Sequence, residues 1–239
     1  MGTTLFIVEV LGAQLLRRDP AQMKLLPDGE EIKQSIDVPL NEAGLTLMQA
    51  CFTRRFWMLC GAYFAILFCT NTMIVHIAPY AVDLNLNASF AATMVSMIGG
   101  ASIAGRLGMG LVSDRIGSRR TLLVCFIIFI ASFAWLQLVK SSGALILFTL
   151  VYGFAHGGFY AIISPLVAEF FGTRSHGTIL GIVIFIASVG GAIGPILTGR
   201  IFDKTASYQA AFLVMLALVV MGLVMTLLSG PLKKQAAGR

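Results

Sequence analysis

Six long apolar runs, separated by short polar breaks, dominate the chain: residues 56–79, 88–112, 121–139, 143–168, 177–199 and 208–229. Each is long enough to cross a hydrocarbon core of about 30 Å as an α-helix of about 20 residues. Inside a bilayer every backbone N–H and C=O must be paired within the protein, so only helices and closed barrels span. Runs this long without alternation exclude a barrel. A shorter apolar stretch, residues 3–16, precedes Arg17, Arg18, Asp19 and Pro20. Its charge follows the apolar segment instead of preceding it, which is the reverse of a signal peptide. It reads as the end of a membrane helix entered halfway along, so Met1 is not expected to be a natural start.

Residues 17–55 are polar and mixed in charge, with Pro20, Pro27 and Pro39 and the cluster Asp28, Gly29, Glu30 and Glu31. They read as a linker, with a short amphipathic helix expected over 41–53. The predicted organisation is therefore a partial helix over 1–16, a cytoplasmic linker over 17–55, a six-helix domain over 56–229 and a cytoplasmic tail over 230–239. The fold class is all-α membrane protein.

Composition agrees with the pattern. Hydrophobic residues make up 57% of the chain, charged residues 12%, and the mean hydropathy is +0.87. These values exclude a soluble globular domain. The net charge of +6 follows the loops, so it reads as a topology signal and not as a nucleic-acid footprint. With the linker placed inside, the inner segments hold Arg17, Arg18, Lys24, Lys33, Arg54, Arg55, Arg115, Arg119, Arg120, Arg174, Lys233, Lys234 and Arg239. The outer loops hold Lys140, Arg200 and Lys204. That asymmetry puts the carboxyl terminus in the cytoplasm, and the expected location is a plasma (bacterial inner) membrane. Cys51, Cys60, Cys69 and Cys125 lie in or beside apolar runs without metal-ligand spacing, and they read as small apolar packers. No metal and no cofactor is expected. Nothing resembles a nucleophile with its base or a phosphate loop, so the chain does not read as an enzyme.

An internal echo marks a repeat. Gly110, Asp114 and Arg115 near the end of the second run recur as Gly199, Asp203 and Lys204 near the end of the fifth, and Gly99 and Gly100 recur as Gly190 and Gly191. Three crossings separate the copies, so they end on opposite sides of the membrane, as a 3+3 inverted repeat requires. Gly194 followed by Pro195 offers a bend within the fifth run.

The candidate chemistry lies at membrane depth. Arg106 sits inside an apolar run, where an arginine at a helix centre costs roughly 2.5–3.5 kcal/mol on insertion scales. It can snorkel toward the aqueous end, or face a cavity with Ser102 one turn earlier and hold a carboxylate through its planar fork. Tyr152, His156 and Tyr160 repeat at four-residue spacing and make one polar, aromatic stripe. His156 is either a structural hydrogen bonder or a cavity and proton-handling residue. Asn71 is either a packing amide or a cavity residue, and His76 lies near the outer end of the first run. Glu169, Arg174, Asp114 and Arg119 fall at one membrane face, either as a latch between helices or as a charged rim that sets topology.

The pattern Gly110, Asp114, Arg115, Gly117, Arg119 and Arg120 resembles the signature loop of the major facilitator superfamily, in the copy between its eighth and ninth helices. Ser118 stands where that family more often has Arg or Lys. The preceding segment ASIAGRLGMGL is similar to the monocarboxylate transporters and oxalate/formate antiporters, and so is the linker segment RRDPAQMKLLPDGEE. The resemblance implies a substrate-binding role for Arg106. Relatives often carry an amide or carboxylate four residues before that arginine, where this chain has Ser102. Relatives that bind oxalate carry a lysine in the helix matching residues 177–199, where this chain has no charge, so a monocarboxylate is preferred. The resemblance implies the carboxyl-terminal half of a twelve-helix secondary transporter that moves a small organic anion by alternating access, proton-coupled or by exchange. Its partners would be that anion, a proton, the lipid bilayer and the missing amino-terminal six-helix half. Two other readings stay open: a non-transporting membrane assembly subunit, and a facilitator-type exporter of another substrate class in which Arg106 is structural.

Overall fold

The computed structural model describes residues 44–139 and 141–230, which belong to one compact unit over residues 42–239. The partial helix expected over 1–16, most of the linker, Lys140 and nearly all of the tail lie outside the described residues. After a short helix α1 (Leu47–Cys51) come six long ones: α2 (Arg54–Asp83), α3 (Ala88–Ile116), α4 (Ser118–Leu136), α5 (Ser142–Phe171), α6 (His176–Thr205) and α7 (Gln209–Leu228). All six are long and apolar enough to cross a membrane. Their pairing is helical throughout, apart from one isolated bridge between Gly44 and Gly172.

Four of the helices, α1, α2, α3 and α5, start at a residue whose side chain accepts from their first unpaired N–H groups, whereas α4, α6 and α7 have no such cap. The hydroxyl of Thr53 accepts from Phe56 N–H at 3.3 Å, the amide oxygen of Asn87 from Phe90 N–H at 2.7 Å, and the hydroxyl of Ser141 from Ala144 N–H at 3.4 Å. Thr46 and Gln49 form a reciprocal capping box on α1. Four of the helices, α2, α3, α5 and α6, run past the apolar runs that signalled them, because polar residues at a membrane face extend a helix as readily as apolar ones; α4 starts early but ends at Leu136, and α7 stays inside its run. The linker therefore ends in two helix starts, at Leu47 and at Arg54. Asp114 and Arg115 ride the last turn of α3, and Arg200 and Lys204 belong to α6 instead of an outer loop. A single residue, Gly117, joins α3 to α4 with φ +87°, a conformation that side-chain-bearing residues adopt only at a cost.

Packing follows the repeat. The two most extensive packings are α3 on α5 and α2 on α6; α4 on α5 and α2 on α7 come next, and α4 meets α7 between them. Exchanging α2, α3 and α4 for α5, α6 and α7 maps this pattern onto itself, which is the 3+3 arrangement. Space is thereby ordered in three rows: α4 and α7 behind, α5 and α2 in the middle, and α3 and α6 in front, each on its own middle helix. The middle pair is the most covered of the six. An aromatic core of Phe126, Phe129, Phe133, Phe148, Tyr152 and Phe159 locks α4 to α5. Both α3 and α7 leave most of their length uncovered, yet α7 is the most apolar span and α3 the least. The surface of α7 suits lipid. The front of α3 mixes the exposed Ile103, Leu107 and Leu111 with Arg106 and small residues.

Candidate functional site

The crossing of α3 and α5 is built from glycine. A Cβ placed on Gly157 would fall on the carbonyl of Ser102, one on Gly105 on the carbonyl of Phe154, and one on Gly153 within 2.8 Å of the carbonyl of Ile98. Without those side chains the two backbones touch, as small residues permit between membrane helices. Arg106 follows Gly105 directly, and the close approach brings its guanidinium onto α5. Its Cζ lies over the ring of Tyr160, 5.9 Å from the centroid, a cation–π arrangement.

Arg106 stands ten residues before the end of α3 at Ile116, about 15 Å at 1.5 Å per residue. The side chain crosses to Tyr160 on the middle row instead of running along α3 toward that end. His156 continues the line. Its ring is 5.2 Å from that of Tyr160 at 63°, and it occupies the midpoint of the 30-residue α5. The imidazole is buried, 8% exposed, and neither ring nitrogen meets a hydrogen-bonding partner among the described residues. A buried polar group without a partner carries its desolvation cost uncompensated.

The other expected lining residues separate. Tyr152 lies one turn deeper, stacked on Phe148 and edge-on to Phe129, and is wholly buried with its hydroxyl unpartnered. It belongs to the aromatic core and is not at the open face. Ser102 is buried and donates its hydroxyl back to Gly99 O at 2.8 Å; what it offers at the crossing is its carbonyl. Asn71 sits at the α2–α6 crossing, where a Cβ on Gly191 would meet its amide. A residue that the sequence reading missed is Tyr63 on α2, buried with an unpartnered hydroxyl and its ring 6.2 Å from that of Phe159. A tyrosine within an apolar run was the available signal. His76, near the opposite end of α2, is fully bonded: Nε2 donates to Pro195 O at 3.0 Å, which leaves Nδ1 to accept from the Tyr208 hydroxyl at 3.3 Å.

The motif residues gather at the end of the bundle where α3 and α5 finish. Glu169, exposed near the end of α5, accepts from the Ser118 backbone N–H at 3.1 Å and from its hydroxyl at 2.7 Å, so its carboxylate sits on the first turn of α4. The Ser113 hydroxyl donates to Ser118 at 3.0 Å. Ser118, which departs from the family pattern, is thus the hub between α3, α4 and α5. Arg119 donates to the carbonyls of Thr226 at 3.3 Å and Leu227 at 3.0 Å and to the Ser229 hydroxyl at 3.4 Å, and Arg55 donates to Ser229 O at 3.1 Å. Two arginines therefore cap the carboxyl end of α7, where orphan carbonyls and the helix dipole favour cations. Asp114, Arg115, Arg120 and Arg174 are exposed, and Gly110 has open space beside it.

A guanidinium over an aromatic face offers paired donors that an anion such as a carboxylate can accept; the imidazole one ring away is buried with neither nitrogen bonded.

The curated relatives include monocarboxylate transporter 12 of Rattus norvegicus, 29% identical over 147 residues that make up 60% of this chain and 30% of that protein. They also include the MFS transporter asaE of Aspergillus flavus, 31% identical over 132 residues, 55% of this chain and 30% of that protein. The chain thus spans about a third of the curated relatives it matches. Among solved structures, a variant of the E. coli fucose:proton symporter FucP superposes with a TM-score of 0.65 at 17% identity, covering 77% of this chain and 45% of that one. This likeness concerns the fold. The family model described as Major Facilitator Superfamily matches residues 59–239, and with the six-helix 3+3 unit it makes the assignment plain: the chain belongs to the Major Facilitator Superfamily.

Proposed function

We propose that this chain is the carboxyl-terminal half of a secondary transporter and moves a small monocarboxylate by alternating access. The observation that carries the reading is the position of Arg106. It is a permanent cation ten residues inside α3, held over Tyr160 on the middle row, on the least apolar helix of the unit. A charge in such a place needs a counter-charge, and a carboxylate arriving between the two halves supplies it through the paired N–H groups of the guanidinium. The relatives named as monocarboxylate transporters support the same substrate class. Tyr160 and His156 complete the wall on this side, and the amino-terminal half supplies the other. Rocking of the two bodies about the bound anion alternates its access. The residues at the motif end, Gly110, Asp114, Arg115, Gly117, Arg119, Arg120, Glu169 and Arg174, form the cytoplasmic rim whose contacts change between the two states.

The test is uptake of radiolabelled lactate or pyruvate by the full-length transporter that contains this chain. Arg106→Ala abolishes uptake. Arg106→Lys keeps the charge but loses the fork, and lowers uptake about tenfold or more, the worth of one charge-assisted hydrogen bond. Normal uptake in both variants removes Arg106 from the binding role and with it the substrate assignment.

A further inference from the structure

We infer that the back edge of the bundle, where α4 begins and α7 ends, is a docking site for an anionic phospholipid, with the phosphate on Arg120 and one tail along the outer face of α4. Two pairs of neighbouring arginines stand at that corner, Arg54 and Arg55 on α2 and Arg119 and Arg120 on α4, and they are used differently. Arg55 and Arg119 are spent on the carboxyl end of α7. Both donate to Ser229, and Arg119 also donates to the carbonyls of Thr226 and Leu227. Arg120 is exposed and makes no hydrogen bond or ion pair among the described residues. The helix end is already answered by its neighbour, so Arg120 adds a cation that α7 does not require.

The surface that continues from Arg120 is apolar. Val124, Ile127 and Ala131 follow it at spacings of four, three and four residues, all exposed, on the face opposite the buried Leu122 and Phe126. From 120 to 131 the stripe rises about 16 Å at 1.5 Å per residue. That is about half of a hydrocarbon core of about 30 Å, the depth one acyl tail fills. Alongside, α7 packs on α4 and exposes Val220, Val224 and Leu228. In the half-transporter reading the amino-terminal half meets the front, where Arg106 stands, which leaves this back edge to lipid.

Charge selects the headgroup. This end of the bundle holds Arg54, Arg55, Arg115, Arg119, Arg120 and Arg174 against Asp114 and Glu169, and Glu169 is engaged by Ser118. The phosphodiester of any phospholipid can accept from a guanidinium. The ammonium of a zwitterionic headgroup would enter a field of like charge, whereas the headgroup of phosphatidylglycerol brings no cation. Anionic lipids of the cytoplasmic leaflet therefore complement the end that loop charge assigns to the cytoplasm.

The experiment is native mass spectrometry of the full-length transporter that contains this chain, released into mild detergent from nanodiscs with equal amounts of dioleoyl phosphatidylglycerol and dioleoyl phosphatidylcholine. The wild type retains more phosphatidylglycerol than phosphatidylcholine. Arg120→Gln lowers that ratio about fivefold, the worth of one arginine at an anionic surface. Arg120→Lys keeps most of it, and Arg200→Gln, toward the opposite end of the bundle, leaves it as in the wild type. An unchanged melting temperature for Arg120→Gln in detergent alone separates lost lipid from lost fold. Equal retention of the two lipids by the wild type, or a ratio that Arg120→Gln leaves unchanged, overturns the inference. So does displacement of the lipid by millimolar inorganic phosphate, which makes the ligand a free anion. A dimer that Arg120→Gln dissociates also overturns it, because the edge then belongs to a second copy. No lactate is present, so failure of the carboxylate assignment at Arg106 leaves the ratio where it was.

Discussion

The two heavy crossings of the molecule, α3 on α5 and α2 on α6, share a backbone design and differ in how their polar groups are closed. In both, glycine lets one helix rest on the other's carbonyls: Gly157 on Ser102 and Gly105 on Phe154 in the first, Gly190 on Phe64 and Gly194 on Phe68 in the second. In the second, a histidine and a threonine are consumed, while the Asn71 amide rests against Gly191. His76 ties Pro195 to Tyr208, and the Thr72 hydroxyl donates to Phe68 O at 2.6 Å. In the first, the His156 nitrogens and the Tyr152 hydroxyl are buried without a partner, and the Arg106 guanidinium lies over Tyr160. The inverted repeat thus supplies two similar frames, one with its histidine bonded at both ring nitrogens and one with its histidine unbonded. An unpartnered group in one copy means more when the other copy shows that the same frame can satisfy a histidine.

The largest effects are expected where the frames agree. Gly157→Ala and Gly194→Ala each drive a Cβ into a backbone carbonyl that has no rotamer to escape through, and overpacking of this kind costs about 3 kcal/mol or more. Thermal unfolding in detergent should show comparable losses for the two. A large loss at Gly157 with none at Gly194 would break the equivalence of the crossings.

Next come the histidines, where the frames part. His76→Phe forfeits two hydrogen bonds and strands the Tyr208 hydroxyl, a loss of about 1–3 kcal/mol. His156→Phe replaces an unbonded ring with an apolar one of similar shape, which is neutral or stabilising by the same accounting. A melting temperature that drops as far for His156→Phe as for His76→Phe would mean that His156 is bonded after all, and the contrast between the crossings would fall.

Most of the frame could be read from the chain and little of the chemistry could. The six spans, the repeat and the glycine spacings are legible because bilayer thickness and close helix approach act on composition and period. Arg106 and the stripe at 152, 156 and 160 are legible because ionisable and polar residues are rare in apolar runs. Which of them faces the front is not legible. Tyr152 and Tyr160 share one helix face by sequence spacing, yet Phe129, Phe133 and Phe148 enclose the first, and the second is 45% exposed. Spacing fixes direction around a helix, whereas burial depends on what the neighbouring helix brings at that height. The partners of Glu169 and Arg119 were hidden for the same reason. Both bond to backbone groups at helix ends, and backbone geometry leaves no mark on residue type. Ser118 looked like a flaw in a motif, and became the group that Glu169 holds.

The smallest expected effect tests the comparison at the level of a single oxygen. Each crossing pairs its histidine with a tyrosine ring in similar geometry: His156 with Tyr160 at 5.2 Å and 63°, His76 with Tyr208 at 5.6 Å and 61°. At Tyr208 the hydroxyl is the working part, because it donates to Nδ1. At Tyr160 the ring face is, because it lies under the Arg106 guanidinium. Tyr208→Phe should therefore cost about 1 kcal/mol of stability, one neutral hydrogen bond, and leave lactate affinity unchanged. Tyr160→Phe should be silent in both measurements. Tyr160→Ala should weaken lactate binding about two- to fivefold, because an exposed cation–π contact is worth about 0.5–1 kcal/mol, with little change in melting temperature. If Tyr160→Phe weakened binding as much as Tyr160→Ala, the hydroxyl of Tyr160 would be the ligand-facing group. The two tyrosines would then play the same part, and the open crossing would recognise its anion through a hydrogen-bonding rim instead of a cation steadied on an aromatic face.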